Sequence, residues 1–596
     1  MTREEIVDLY GARIAQRELE RERRGKKVSW VSYARLLVFV AGVATAWFVW
    51  ETDSLPWPWL LAPAAAFALL MSWHARLYEG LRQAERSEKF YTRGLARLRD
   101  EWAGSGNQGV SFVDARHPYA SDLDIFGSGS LFELLATTES PWGANTLAEW
   151  LLSPASPEVV RQRQEAVAEL APLVELREDI AREHDDAVEM VNPETLSKWA
   201  VEPSVLTYRR ARLVALVLGA LSFVAGIGWL ASWWTRLPFV SLIAISGLFA
   251  IAFRPQVRSV LTAVEDPASA LGVLSMLLER LEGEGFSSPL LVALQEALVS
   301  DGEPASREIR RLRRLVDYLD ARRNQLFAPF AAILLWGTQF AFAIESWRQS
   351  SGPHVPRWLS AVSDLDALLA LATYSFEHPD DPFPTIRDDG AVYAAKGLGH
   401  PLIPQARLVR NDVGFGEDLR LLVVSGSNMS GKSTLLRAVG INTVLAFAGA
   451  PVRATRLELS PFAVAASIRI VDSLQDGVSH FYAEILRLRQ VLELTSGGTP
   501  VLFLLDEILH GTNSHDRRIG AEAVVRGLVD RGAIGLITTH DLALSKMADA
   551  MGKAGTNVHF EDQIVDGKIQ FDYVMREGVV TKSNALDLMR SVGLEV

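Results

Sequence analysis

No cysteine occurs anywhere in the 596 residues. That absence excludes disulfides and thiolate metal sites, and it fits a reducing compartment. A basic surplus is missing too: 60 Lys and Arg face 72 Asp and Glu, a formal charge of -12 and a pI near 5.5. No global positive charge advertises nucleic-acid binding, although a local basic groove needs only a patch. No internal repeat or low-complexity segment breaks the chain. Its length exceeds one compact core, so two to four domains are expected.

Apolar residues, by contrast, are plentiful and unevenly spread. Mean hydropathy is +0.12 and there are 16 Trp. Residues Ala34 to Trp50 carry one charge, Arg35, and Trp59 to Trp73 carry none; Pro56 and Pro58 lie between them. A second pair runs from Leu213 to Trp234 and from Leu237 to Phe253, separated by Thr235 and Arg236. Such pairs read as transmembrane helical hairpins, with tryptophans at the level of an aromatic belt. Arg21, Arg23, Arg24, Lys26 and Lys27 precede the first pair, and Arg76, Arg82, Arg86 and Lys89 follow it. Arg209, Arg210 and Arg212 precede the second pair, and Arg254 and Arg258 follow it. The positive-inside rule then places the large segments in the cytoplasm, on a cytoplasmic (inner) membrane. The charge-rich N-terminal stretch is not expected to be a signal peptide. The alternative is that these runs are core helices of a large soluble protein. A further run, Leu326 to Ile344, contains Pro329 and Gln339; it reads as a buried or interfacial helix, with a fifth span as the alternative.

Chemistry is concentrated near the C-terminus. Residues Leu421 to Thr434, LLVVSGSNMSGKST, are an apolar strand entering Gly426-x4-Gly431-Lys432-Ser433, the pattern of a phosphate-cradling loop before a helix. Gly426, Ser427, Asn428, Met429, Ser430, Gly431, Lys432, Ser433 and Thr434 are the expected nucleotide-binding residues. Lys432 is expected to reach the β- and γ-phosphates and Ser433 to ligate Mg2+. Val501 to Glu507 is an apolar strand ending in two carboxylates. Asp506 is the expected second Mg2+ group, and Glu507 is expected to polarise the attacking water. His540 follows the apolar strand Ala533 to Thr539, where a side chain at the strand tip can reach a γ-phosphate. Ser479, ahead of a helix, is a candidate phosphate donor within the same molecule or across a dimer.

Together these segments resemble the MutS family of DNA mismatch-repair ATPases. GSNMSGKST resembles the family's phosphate loop, and DSLQDGVSHFYAEI its signature segment, through Gly477, Ser479, Phe481 and Glu484. DEILHGTNSHD resembles the Asp-Glu strand with its turn at Gly511 and Thr512; Thr539-His540 matches the switch histidine. Gly399 to Pro401 and Gly578 to Ala585 match in order, while Leu131 to Pro154 and Ser363 to Ala372 resemble parts of the helical core. The resemblance implies a homodimer in which Ser479 completes the partner's site, ATP and Mg2+ as cofactors, and double-stranded DNA as a partner. No mismatch-reading or nuclease domain is recognisable, so the chain reads as a membrane-anchored, domain-reduced relative.

The expected fold class is multidomain: a mostly helical core with transmembrane hairpins, plus a C-terminal α/β P-loop NTPase domain of the MutS/ABC-like kind. The expected divisions are a cytoplasmic N-terminal helix (1–33), hairpin one (34–73) and a linker region (74–119). A helical core and lever (120–380) follows, interrupted by hairpin two at 213–253, and then the ATPase domain (385–596). The expected function is an ATPase whose dimer closure engages DNA. An ABC-type transport ATPase, or an ATP-gated membrane scaffold acting on a protein, is the other reading. The arginines between Arg307 and Arg323 are candidate DNA-backbone contacts or a solvated helix face.

Overall fold

The computed structural model describes residues 1–51, 56–137, 140–183, 193–204, 206, 209–265, 268–324, 327–427, 429–469, 480–509, 512–565 and 568–580. The chain is mostly helical, with mixed sheets toward the C-terminus. It divides into two units: Met1–Thr137, Thr146–Val174 and Leu368–Val596 in one, Thr138–Asn145 and Glu175–Ala367 in the other.

The first unit opens with two long helices, α1 (Arg3–Glu51) and α2 (Leu61–Leu98), packed against each other. Their chemistry changes along their length. At the base, Ile6 and Tyr10 of α1 meet Tyr91 and Leu98 of α2 in a small buried cluster. Above it a polar ladder joins the pair, with Arg21 to Glu88 at 3.0 Å and Ser32 to His74 at 3.0 Å. Beyond Trp30 the apolar side chains turn outward, among them Leu36, Leu37, Val40, Trp47, Trp50 and Leu69. Helix α2 runs well past Trp73 into the stretch read as a linker. The reason is a stripe at helical spacing, Ala84, Ser87, Tyr91, Gly94 and Leu98, all buried. At Gly94 an added Cβ would lie 2.5 Å from the Tyr10 ring, so glycine permits the close approach of the two helices.

In the second unit, α3 (Arg209–Leu230) and α4 (Leu237–Glu265) form another hairpin. Small residues line its seam: Ala215, Ser222 and Ala225 are buried, and the Ser222 and Ser246 hydroxyls meet at 3.2 Å. Helix α5 (Ala305–Asp320) buries Ile309, Leu312, Val316 and Leu319, leaving Arg311, Arg313 and Arg314 exposed. The run expected as one helix over 326–344 is two, α6 (Ala328–Ile333) and α7 (Trp336–Ser351). The chain breaks at Leu335, whose φ is 50°. The Gln339 amide satisfies the freed Leu334 carbonyl at 2.6 Å, which lets the helix end there. Trp336 Nε1 donates to the Tyr318 carbonyl and Trp347 Nε1 to the Glu308 carbonyl, so α7 runs antiparallel to α5. Most of α7 is buried, including Ala341, Phe342, Ile344 and Trp347.

Helix α8 (Val355–Glu377) ends in the first unit. Glu377, buried, accepts two 2.7 Å bonds from the Arg97 guanidinium and one from Tyr10 at 3.4 Å. This ties the base of α1 and α2 to the chain entering the C-terminal region. Strands β1 (Thr385–Ile386), β2 (Tyr393–Leu398) and β3 (Asn411–Phe415) follow. Next come β4 (Leu421–Ser425), α9 (Lys432–Ala448), β5 (Arg456–Leu459) and β6 (Ala463–Ser467). Helix α10 (His480–Leu494), β7 (Val501–Asp506), α11 (Ser514–Asp530) and β8 (Ile534–Thr539) succeed them, then α12 (Leu542–Ala550), β9 (Gly555–Val565) and β10 (Lys568–Glu577).

A four-stranded sheet has the order β1-β5-β2-β3, and a six-stranded sheet the order β10-β9-β4-β8-β7-β6. In the larger sheet only β10 is antiparallel to its neighbour. Its central strands are buried along their length, as continuous apolar runs in a parallel sheet require. On one face Leu421, Val423, Phe503 and Leu505 pack with Leu488 and Val491 of α10, Val525 of α11 and Met547 of α12. Helix α9 is buried on nearly every side, and the Tyr393 hydroxyl of the smaller sheet reaches its Val439 carbonyl at 3.5 Å.

Candidate functional site

Parallel strands deliver their C-terminal ends to one edge of a sheet, which is where α/β folds place ligands. Here Ser425 of β4 pairs with Thr539 of β8, and Thr538 of β8 pairs with Asp506 of β7. The register brings together Gly426, the Asp506-Glu507 pair and His540. The Asp506 strand does not adjoin the loop strand directly; β8 lies between them.

The loop after β4 is built on backbone conformations that favour glycine. Gly426 has φ 154° and Gly431 φ 104°, and Gly431 caps the start of α9. Met429 also has positive φ, 71°, and is 84% exposed at the loop surface. Lys432 is folded inward and buried. Its ammonium donates to the carbonyls of Gly426 at 3.0 Å and Ser427 at 2.9 Å, and lies 3.3 Å from Glu507 Oε1. The Ser427 and Ser430 hydroxyls are buried and have no hydrogen-bond partner among the described residues. Ser433 and Thr434 face the same cavity as Lys432.

Glu507 is the hub of the polar groups. One carboxylate oxygen faces Lys432, and the other lies 3.4 Å from His540 Nδ1. Its φ of 46° is uncommon for a residue other than glycine, and its N–H is held by the Thr538 hydroxyl at 3.0 Å. The same hydroxyl donates to Asp506 Oδ1. Thr538 thus fixes the Asp506 carboxylate and the backbone from which the Glu507 side chain projects. Behind them, buried Glu484 of α10 accepts from the Leu509 N–H, Leu509 itself having φ 61°.

The cavity next to these groups holds about 950 Å3. Its polar wall is Lys432, Ser433, Asp506 and Glu507; its apolar wall includes Leu398, Ile403, Pro404 and Val409. Tyr573 closes over the loop: a Cβ on Gly431 would lie 3.2 Å from its ring. Asn411 of β3 holds that tyrosine's strand, donating to the Tyr573 carbonyl at 3.0 Å and accepting from the Met575 N–H at 2.7 Å. Burial, reinforced by the Arg437 charge, pushes the His400 imidazole in this cavity down to about 4, so it is neutral at pH 7.

A second anchor supports the site. Asp122 is fully buried and accepts from the Ile468 and Arg469 N–H groups at 2.7 Å, and from Arg487 of α10 at 3.3 Å. Burial raises its carboxyl above the ordinary range despite those partners.

Of the residues expected from sequence, Gly426, Ser427, Ser430, Gly431, Lys432, Ser433, Asp506, Glu507 and His540 converge at this edge, with Met429 and Thr434 beside them. Asn428, Gly477, Ser479, Gly511 and residues 581–585 lie outside the described residues. Thr538, Asn411, Tyr573 and Asp122 were not singled out. No motif marks them, and only Thr538, next to the expected Thr539-His540 pair, had a sequence position that pointed to the site.

Residues 422–595 match the model of MutS domain V. The relatives that share this region are MutS and MutS2 proteins, so the C-terminal part of the chain is similar to MutS domain V. The DNA mismatch repair protein MutS 2 of Halobacterium salinarum is 33% identical over 238 residues, covering 39% of this chain and 27% of the relative. The endonuclease MutS2 of Thermus thermophilus is 32% identical over 264 residues, covering 42% of this chain and 32% of the relative. The DNA mismatch repair protein MutS of Geobacillus thermodenitrificans is 30% identical over 252 residues, covering 41% and 27%. The chain therefore spans a third or less of the length of these curated relatives.

Proposed function

We propose that the chain is a membrane-anchored MutS-like ATPase. In this reading it binds ATP with Mg2+ at the loop edge, hydrolyses it, and uses closure of a homodimer to engage DNA. The observation that carries the ATPase part is the position of Glu507, between Lys432 and His540 and tied to Asp506 through Thr538.

The residues fit the nucleotide. The cavity volume suits a nucleoside triphosphate. The loop offers two buried hydroxyls without partners among the described residues, and the first turn of α9 has the N–H groups that anions seek. Lys432 would exchange the Gly426 and Ser427 carbonyls for phosphate oxygens and neutralise their charge. Ser433 and Asp506 would hold Mg2+, which supplies electrostatic polarisation of the phosphate oxygens when bound. Glu507 orients a water and takes its proton as the water oxygen bonds to the terminal phosphorus and the bond to ADP breaks. His540, 46% exposed and touching Glu507, is placed to hold the terminal phosphate's developing charge. Tyr573, whose ring lies over Gly431, provides an aromatic wall for the nucleotide.

Membrane anchoring is supported by helices long and apolar enough to span. The most apolar windows of α1 and of the stretch containing α2 are 6% and 0% buried, and those of α3 and α4 are 28% and 6%. A fifth helical stretch, Trp336–Glu377, is also long and apolar enough to span, but its most apolar part is 72% buried, which favours a core role. The basic flanks then keep the ATPase domain in the cytoplasm. Dimerisation, with Ser479 completing the neighbour's site, and DNA engagement rest on the similarity to MutS domain V and on the relatives' names.

The test is ATP hydrolysis by the detergent-solubilised full-length protein, with and without homoduplex or mismatched DNA, alongside Glu507→Gln. Turnover should fall by about 10²–10⁴-fold in the variant, the range lost with a general base, while ATP is still bound. Stimulation by DNA supports the DNA arm. Turnover indifferent to DNA moves the partner to a protein or membrane component. Equal turnover in the variant overturns the assignment of Glu507.

A further inference from the structure

One exposed surface of the second unit is unused by the ATPase reading. It is the turn joining α5 to α7, together with the arginine face of α5. Its place relative to the α3–α4 hairpin can be measured in two ways. On α3, the backbone of Gly219 abuts the break between α6 and α7: a Cβ there would lie 2.7 Å from the Leu334 carbonyl oxygen. Gly219 is seven residues beyond Arg212, the last basic residue before the apolar run, or about 10 Å along a helix. On α4, Phe253 stacks edge-on with Phe342 of α7 at 5.8 Å, immediately before the basic flank Arg254. Leu335 lies seven residues back along α7 from Phe342, again about 10 Å. Both helices therefore set the α6–α7 break about 10 Å past the basic end of the hairpin.

A hydrocarbon core is about 30 Å thick, so that depth falls within one leaflet. The groups found there suit it. Ala328, Pro329 and Phe330 are exposed, Tyr318 is 56% exposed, and the Leu334 carbonyl is already satisfied by Gln339. Below them, on the water side, Arg311 and Arg313 are exposed. Their acidic neighbours Glu308 and Asp317 stand off at 3.8 and 4.0 Å, too far to take up the guanidinium donors. Arg314 is exposed beside them.

We propose that the α5–α7 turn is an interfacial wedge. Phe330 and Tyr318 seat in the inner leaflet beside the α3–α4 hairpin, and Arg311, Arg313 and Arg314 bind anionic phospholipid headgroups. The inference rests on the membrane reading of that hairpin. Continuity with the exposed apolar hairpin and charge complementarity favour a lipid surface over duplex DNA as the occupant. A DNA site would not require aromatic residues at the tip to stand exposed at hairpin depth.

The chain has no cysteine, so single-cysteine variants of the full-length protein can each carry one fluorophore in lipid nanodiscs. Leu221→Cys reports the hairpin, Phe330→Cys the wedge, and Val299→Cys an exposed site in the same unit away from both. Spin-labelled lipids should quench both Leu221→Cys and Phe330→Cys from acyl positions of the inner leaflet, because Leu221 lies only two residues beyond Gly219, the level of the α6–α7 break. Val299→Cys should keep its fluorescence. If neither Leu221→Cys nor Phe330→Cys is quenched, the membrane reading of the hairpin fails. If Leu221→Cys is quenched and Phe330→Cys is not, the wedge is overturned and the hairpin stands. The headgroup assignment is read at Tyr318→Cys. Anionic lipid should increase its quenching over neutral lipid, and Arg311→Gln, Arg313→Gln and Arg314→Gln together should abolish that increment. The corresponding lysine triple variant should keep it. No anionic increment, or a spectral shift produced by duplex DNA in neutral nanodiscs, would overturn the lipid assignment.

Discussion

Thr538 offers a sharp test of how the site is held. Its hydroxyl does two jobs, donating to Asp506 Oδ1 and accepting the Glu507 N–H at 3.0 Å. Thr538→Val keeps the shape and the strand preference of a buried central-strand residue, so the fold should survive. It removes a hydrogen bond to a charged group, about 1.5–3 kcal/mol, and leaves the Glu507 N–H without that partner. Glu507 stands at a positive φ that costs about 1–2 kcal/mol, so losing its tether frees the backbone to relax away from Lys432 and His540. If about 1.5–3 kcal/mol appears in the barrier, turnover falls about 10- to 100-fold. Phosphate release should be measured against both ATP and Mg2+ concentration. The expected result is a lower kcat and a higher Mg2+ requirement, with Thr538→Ser close to wild type. A Thr538→Val enzyme within about twofold of wild type at every Mg2+ concentration would refute the argument that this hydroxyl positions the carboxylates.

Two further outcomes follow from buried charge. Burial pushes the Asp366 carboxyl up to about 7, against the opposing effect of its bond from Ser140. Its stabilising contribution is therefore full below the unfolded value near 3.8 and is lost as pH rises through about 7. Asp366→Asn, which mimics the protonated acid, should stabilise the protein at pH 8 by up to about 4 kcal/mol, an advantage that shrinks toward zero near pH 4; denaturant titration at both pH values checks it. Glu377→Ala leaves the Arg97 guanidinium buried without its carboxylate, a loss of about 3–5 kcal/mol. Limited proteolysis should then cut near the base of α1 and α2 in the variant sooner than in wild type, and equal rates would show that the contact is dispensable.

How much of this was legible depends on whether a contact is local in the chain. Gly426, Gly431 and Lys432 are held by one short loop, so their spacing alone brings them together. Asp506, Glu507 and His540 stand at the ends of apolar strands, and parallel pairing puts such ends on one edge. Thr538 acts through a cross-strand register, Thr538 opposite Asp506, that no spacing encodes. Asn411 and Tyr573 meet across 162 residues, and Asp122 reaches Arg487 across 365. The interposition of β8 between the loop strand and the Asp506 strand is likewise a matter of sheet order. In the helical regions the apolar runs were plain, but α2's extension to Leu98 depended on a stripe that includes Ser87 and Gly94, residues an apolar search passes over. The break at Leu335 was hidden because Gln339, a residue of the same run, supplies the amide that makes it tolerable.

Helix α1 has no proline between its docked end and its apolar end, and 49 residues of α-helix measure about 73 Å. Ile6 and Tyr10 at the start are fixed beside Glu377, and Trp50 near the finish is almost fully exposed. With α2 running alongside and the polar ladder between them, the pair is a stiff spar with no joint along its length. On the membrane reading, torque generated where the C-terminal region changes shape has nowhere to dissipate below the lipid. A few degrees of rotation at the docked end would arrive at the far end as several ångströms of sideways travel. Bending stiffness, more than any bound ligand, would then set how much of each catalytic cycle the bilayer feels.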